Sequence, residues 1–105
     1  MKQIIFILFF NIFFASMSFA DASKISAGKK IFTGKGMCGS CHILKAADSQ
    51  GQVGPSLDEL KPDLKRVLVS VTNGKGVMPA FEKLGMLTKA EIENVSFYVA
   101  NSAGK

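Results

Sequence analysis

Hydrophobic positions along the chain form one nearly continuous run near the start, followed by three stripes with helical spacing. The run is Ile4 to Phe14, interrupted only by Asn11, with Lys2 ahead of it and Ser18-Phe19-Ala20 behind it. A positive start, a short apolar stretch and a small-x-small ending make an export leader, residues 1–20, cut before Asp21 and leaving a domain of residues 21–105. The stretch is short for a bilayer span, so it anchors the chain only if it stays uncleaved.

In the domain, the clearest stripe comes last. Thr88-Lys89-Ala90-Glu91 is a capping box, with Leu87 and Ile92 stapled across it, and Ile92, Val95 and Val99 recur on one helical face beside Tyr98. A middle helix is expected from Pro62, suited to a first helical position, to Asn73-Gly74, with Leu64, Val67, Leu68 and Val71 as its stripe. The first helix is expected over about Ser23 to Thr33, with Ile25, Gly28, Ile31 and Phe32 together. Glycine inside a helix costs about 1 kcal/mol against alanine, so Gly28 marks a close crossing, with the last helix as its partner. Ile43 to Leu60 carries the turn residues Gly51, Gly54 and Pro55 and no long helix, and Gly104 is expected to end the chain loosely. The pattern is all-α.

Composition sharpens this picture once the leader is set aside. Six of the nine Phe residues lie in it, leaving Phe32, Phe81 and Phe97, and removing Lys2 leaves twelve basic against eight acidic residues, net +4. The lysines are scattered and not interleaved with aromatics, which argues against nucleic acid as a partner. So small a domain buries a limited core and needs a staple: a disulfide, a metal or a prosthetic group.

Cys38-Gly39-Ser40-Cys41-His42 supplies it. This is the C-x-x-C-H attachment signature, in which two thiols on a tight turn bond the vinyl groups of one porphyrin and the adjoining imidazole lies under the iron. A thioredoxin-type pair would need alternating strands and helices, which are not evident. Structural zinc needs four ligands, and the chain has two Cys and one His. A plain disulfide at this spacing would be strained. The reading is one haem c, covalent through Cys38 and Cys41, with His42 as an iron ligand.

With one histidine in the chain, a second imidazole ligand is impossible within it. Met37 adjoins the attachment turn, Met86 reads as core filler, and Met78 lies in the glycine-rich loop Asn73 to Phe81, where Pro79 makes it extended. Met78 is therefore the expected sixth ligand, its soft neutral thioether favouring ferrous iron.

These residues resemble the small class I bacterial cytochromes c. The resemblance rests on Gly28, Phe32, Cys38 to His42, Gly54-Pro55, Asn73-Gly74, Met78-Pro79 and Tyr98. It implies short helices wrapped around one covalent haem, with N- and C-terminal helices crossing. It also implies that the Pro55 carbonyl accepts a hydrogen bond from His42, and that Met78 is the ligand. The function implied is that of a periplasmic one-electron carrier between redox proteins, monomeric and not an enzyme. Leu44 to Ala47 and Val53 to Asp63 also look like a subgroup that includes cytochrome subunits of sulfite-oxidising periplasmic dehydrogenases, the alternative expectation. A gas sensor or enzyme would require Met78 to be off the iron. Lys35, Lys45, Lys75 and Lys83 are candidate rim charges for steering acidic partners.

Overall fold

The computed structural model describes residues 18–105. The leader stretch before Ser18 lies outside the described residues. Four α-helices and one small hairpin follow in the order α1 (Phe19–Thr33), β1 (Ile43–Leu44), β2 (Ser49–Gln50), α2 (Leu57–Leu60), α3 (Leu64–Asn73) and α4 (Lys89–Ser102). Among the described residues, no helix is long and apolar enough to cross a membrane.

The helices α1 and α4 pack chiefly against each other, and α3 leans on α4. The crossing is built on Gly28. A Cβ there would strike the Asn94 carbonyl oxygen and lie 2.5 Å from Tyr98 Cβ, so only hydrogen lets the two backbones approach. Beside it, the Phe32 and Tyr98 rings meet edge to face at 5.9 Å and 65°. Phe32 is 1 % and Tyr98 2 % exposed, and burial of each contributes about 1.5–3 kcal/mol. Ile31, Val67, Val71, Phe81, Leu87, Ile92, Val95 and Val99 complete the same core.

The capping box forms as expected: the Thr88 hydroxyl accepts from Glu91 N at 3.2 Å while Glu91 Oε1 accepts from Thr88 N at 2.9 Å. Leu87 and Ile92 are both buried across it. Other boundaries move. Helix α1 begins at Phe19 rather than Ser23, because the Ser18 hydroxyl accepts from Asp21 N and caps it. Helix α3 begins at Leu64 rather than Pro62, because the Asp63 carboxylate takes the Arg66 amide at 2.8 Å and makes Asp63 the cap. Leu64 is 41 % exposed and thus leaves the stripe, while Val67 and Val71 stay buried and Leu68 packs against the core.

The expected loop from Ile43 to Leu60 is more ordered than its sequence suggests. Ile43 pairs with Gln50 and Leu44 with Ser49 in an antiparallel hairpin, closed through a 3₁₀ turn at Lys45–Ala47 and Asp48 in the left-handed region. Leu44, fully buried, anchors it to the core. The chain end is not loose either. Gly104 N donates to Asp58 Oδ1 at 2.8 Å, and its φ of +76° lays it against the Lys61 stem.

Candidate functional site

The C-x-x-C-H segment begins where α1 stops. Gly34 and Gly36 both return their amides to Ile31 O, and Met37, at φ 52°, turns the chain into a 3₁₀ winding over Cys38–Ser40. Cys41 N and His42 N then share Cys38 O at 3.2 and 3.0 Å. The winding and its cap keep the two cysteines on one short turn, close enough in the chain for one rigid group to bond both thiols. Both cysteines are free. Burial pushes the Cys38 thiol up to about 11, with the neighbouring Cys41 adding to the rise and a backbone hydrogen bond opposing it.

His42 is fixed from two sides. Its Nδ1 lies 2.8 Å from Pro55 O; since a carbonyl can only accept, Nδ1 carries the proton and donates, leaving the Nε2 lone pair available. Gly54 N donates to Cys41 O at 2.7 Å and brings residue 54 onto the ring. A Cβ there would sit 2.5 Å from His42 Cε1 and 2.8 Å from Nδ1, so this position needs glycine. Gly51 is likewise pressed on the turn, where a Cβ would stand 2.5 Å from Cys41 N. The segment after β2 thus closes over the attachment turn.

Met78 occupies a loop with little freedom. Lys75 N donates to Met78 O at 3.1 Å and Met78 N to Lys75 O at 3.0 Å, closing a tight turn over Gly76 and Val77. Gly74, at φ +71°, lies under it, where a Cβ would be 2.6 Å from Met78 O. Phe81 N bonds Val71 O and ties the far end to α3. Met78 itself is half-buried and packs against the core. Met37 is 66 % exposed. Met86, expected as core filler, is instead 39 % exposed: Leu87 fills the core there and Met86 faces outward at the turn before α4.

The four candidate rim lysines divide. Lys35 Nζ reaches both Glu91 oxygens at 2.9 and 3.0 Å, so its charge is spent on the α4 cap and is not a free rim charge. The Thr88 amide first, and Lys35 after it, hold the Glu91 carboxyl below its usual range. Lys45, Lys75 and Lys83 are exposed.

Asp58 is the residue sequence reasoning missed. In the sequence it stands only within the stretch Val53 to Asp63, with no role of its own, yet its carboxylate takes Lys45 N at 2.8 Å and Gly104 N at 2.8 Å. Those two amides, Gly104 first, hold its carboxyl below the usual range. Its partner amides lie 13 and 46 residues away in the chain, so no local pattern announces them.

The donor set fits a covalent haem: two free thiols three positions apart on one turn, an imidazole with one nitrogen tied and the other available, and a thioether in a loop closed by backbone hydrogen bonds. Among the described residues no group of three or more His, Cys, Asp or Glu side chains converges.

Known proteins agree with this reading. The family model described as cytochrome c oxidase, cbb3-type, subunit III matches residues 23–99. Cytochrome c6 of Rippkaea orientalis is 39% identical over 111 residues, covering 96% of this chain and 91% of that protein. Cytochrome c6 of Leptolyngbya boryana is 34% identical, covering 82% of this chain and 98% of that one. Among solved structures, the c-type cytochrome SorU from Sinorhizobium meliloti aligns with a TM-score of 0.73 at 49% identity, covering 80% of this chain and 95% of its own. With family, relatives and fold in agreement, the chain belongs to the small class I c-type cytochromes: it is an electron carrier rather than an enzyme, and its cysteine pair suits one covalent haem c.

Proposed function

We propose that the chain carries one electron at a time between redox proteins of the periplasm, with His42 and Met78 as the residues that would hold the iron of its haem. The observation that carries this reading is the His42 Nδ1 to Pro55 O bond of 2.8 Å, which commits one ring nitrogen to the protein and leaves the other as a donor. When bound, the haem supplies an iron that gains and loses one electron. The chain's residues do the rest. Pro55 fixes the imidazole and strengthens it as a donor, while the neutral thioether of Met78 favours the reduced state. Both ligands sit in segments closed by backbone hydrogen bonds, so little needs to move when the charge changes.

Export by residues 1–20 and release of residues 21–105 as a monomer complete the reading, supported by Lys2, the apolar run and the small residues before Asp21. Lys45, Lys75 and Lys83 remain as rim charges that speed encounter with acidic partners, and a transfer rate independent of salt would remove that role. A second reading, a permanent place in a periplasmic dehydrogenase, keeps the same haem chemistry and rests on the stretches Leu44 to Ala47 and Val53 to Asp63. Migration of the purified protein as a lone small monomer counts against it. Carbon monoxide tests the carrier reading itself: if His42 and Met78 both hold the iron, the reduced protein would bind it poorly, and rapid binding would put sensing or catalysis in its place.

A further inference from the structure

The residues around His42 and Pro55 are joined by more than the bond between them. Gly54 N donates to Cys41 O at 2.7 Å, His42 Nδ1 to Pro55 O at 2.8 Å, and Lys45 N to Asp58 Oδ2 at 2.8 Å. Each of the three pairs is thirteen residues apart. They are successive rungs between one segment, Cys41 to Lys45, and another, Gly54 to Asp58. The middle rung holds the imidazole. The upper rung is backbone to backbone; the lower one rests wholly on the Asp58 carboxylate.

Asp58 is well placed to transmit this restraint. It lies in the first turn of α2, whose cap Ser56 directly follows Pro55, so the Pro55 carbonyl and the carboxylate ride on one short rigid piece. Lys45 opens the 3₁₀ turn just after β1, three residues beyond His42. The other carboxylate oxygen takes Gly104 N, and Ala103 before it is buried in the core. The Asp58 carboxylate is therefore shared by the histidine segment, the proline segment and the chain terminus. Hydrogen bonds to a charged acceptor are shorter and stronger than those between neutral groups.

We propose that Asp58 is a positioning residue of the redox site: by holding the Lys45 and Gly104 amides it fixes Pro55 against His42, and so sets the donor strength of the imidazole from the chain's C-terminus. This rests on the reading of His42 as an iron ligand. A weaker Nδ1–H to Pro55 bond makes the imidazole a poorer donor, which raises the reduction potential.

Loss of negative charge at position 58 acts in the same direction, so the test must separate geometry from charge. The probe is the full haem-loaded protein in the reduced state, with the His42 Nδ1–H followed by NMR for its exchange with solvent, and the potential measured alongside. Asp58→Asn turns an acceptor oxygen into a donor facing an amide. Asp58→Glu keeps the charge and displaces the bonds. Glu59→Gln, its exposed neighbour, removes the same charge from the same helix without touching either amide, and Thr88→Ala loosens α4 far from the clasp.

Asp58→Asn is expected to speed Nδ1–H exchange roughly tenfold, equivalent to about 1.4 kcal/mol, and to raise the potential more than Glu59→Gln does. Asp58→Glu should speed exchange with little Coulomb effect, while Glu59→Gln and Thr88→Ala leave exchange as in the wild type. Equal behaviour of Asp58→Asn and Glu59→Gln, with wild-type signals intact, would overturn the clasp alone. So would failure of both Asp58 variants to accumulate as folded haem protein, since that assigns Asp58 to global folding. A wild type lacking both the Nδ1–H signal and the far-red absorption of methionine-bound ferric iron would overturn the ligand reading, and the clasp's role with it.

Discussion

Replacing Gly28 by alanine sets two well-understood effects against each other. Alanine in a helix interior is favoured over glycine by about 1 kcal/mol, so propensity alone says the variant is more stable. Packing says the opposite. The new methyl would run into the Asn94 carbonyl oxygen and stand 2.5 Å from Tyr98 Cβ. Both obstacles belong to the body of α4, not to the flexible end of a side chain, so no rotamer change removes them. Restoring ordinary carbon contacts requires the helices to part by roughly 1 Å. That separation costs about 1–3 kcal/mol as overpacking. It also weakens the Phe32 and Tyr98 edge-to-face contact at 5.9 Å, worth about 0.5–1.5 kcal/mol beyond its area. The balance is a loss of about 2 kcal/mol, or a fall in Tm of roughly 10 °C for a domain of this size. Urea unfolding of the haem-loaded protein, followed by far-UV circular dichroism, is the assay, with Ser26→Ala on the exposed side of α1 as the control for propensity. The midpoint for Gly28→Ala should fall at unchanged slope, while Ser26→Ala holds or rises. A Gly28→Ala midpoint equal to or above the wild type would refute the close crossing.

Three further outcomes follow from the geometry. Gly54→Ala places a methyl 2.5 Å from the His42 ring; it should destabilise the fold by about 1–3 kcal/mol and raise the reduction potential, and an unchanged potential would contradict the restraint on the ring. Thr88→Ala removes the hydroxyl that accepts from Glu91 N and should lower stability by about 1 kcal/mol, read as a shifted urea midpoint. The Asp58 carboxyl is held below its usual range by the Gly104 and Lys45 amides, so its contribution is fully present above the ordinary carboxylate value of about 3.9 and is lost as pH falls through the lower folded value. The stability difference between wild type and Asp58→Asn, about 1 kcal/mol or less because the carboxylate is solvent-exposed, should thus be greatest near neutrality and close as pH falls below about 4; a urea-midpoint difference that persists in acid would contradict it.

Much of the site was legible because its signals are local. Cys38, Cys41 and His42 lie on one turn, the Thr88 and Glu91 box is a four-residue pattern, and Gly28 announces a close approach through its misfit with helix propensity. Boundaries were less legible. Pro62 and Asp63 both signal a helix start, and the side chain able to reach the Arg66 amide decided between them. What escaped reading depends on partners far along the chain. Lys35 looks free until Glu91, 56 residues on, is brought beside it. Gly104 looks like a frayed end until Asp58, 46 residues earlier, takes its amide. Met86 misled for a different reason: methionine fills cores well, but Leu87 already occupied that place.

The central claim is that His42 and Met78 together hold the iron of one covalent haem. The most direct measurement is the optical spectrum of the purified haem-loaded protein, oxidised and reduced, for the wild type and Met78→Ala. The expected result is a haem retained through denaturation in both, with the weak far-red band of methionine-bound ferric iron in the wild type and its loss in Met78→Ala. A wild-type spectrum with covalent haem but no such band, or a band that survives in Met78→Ala, would contradict the claim.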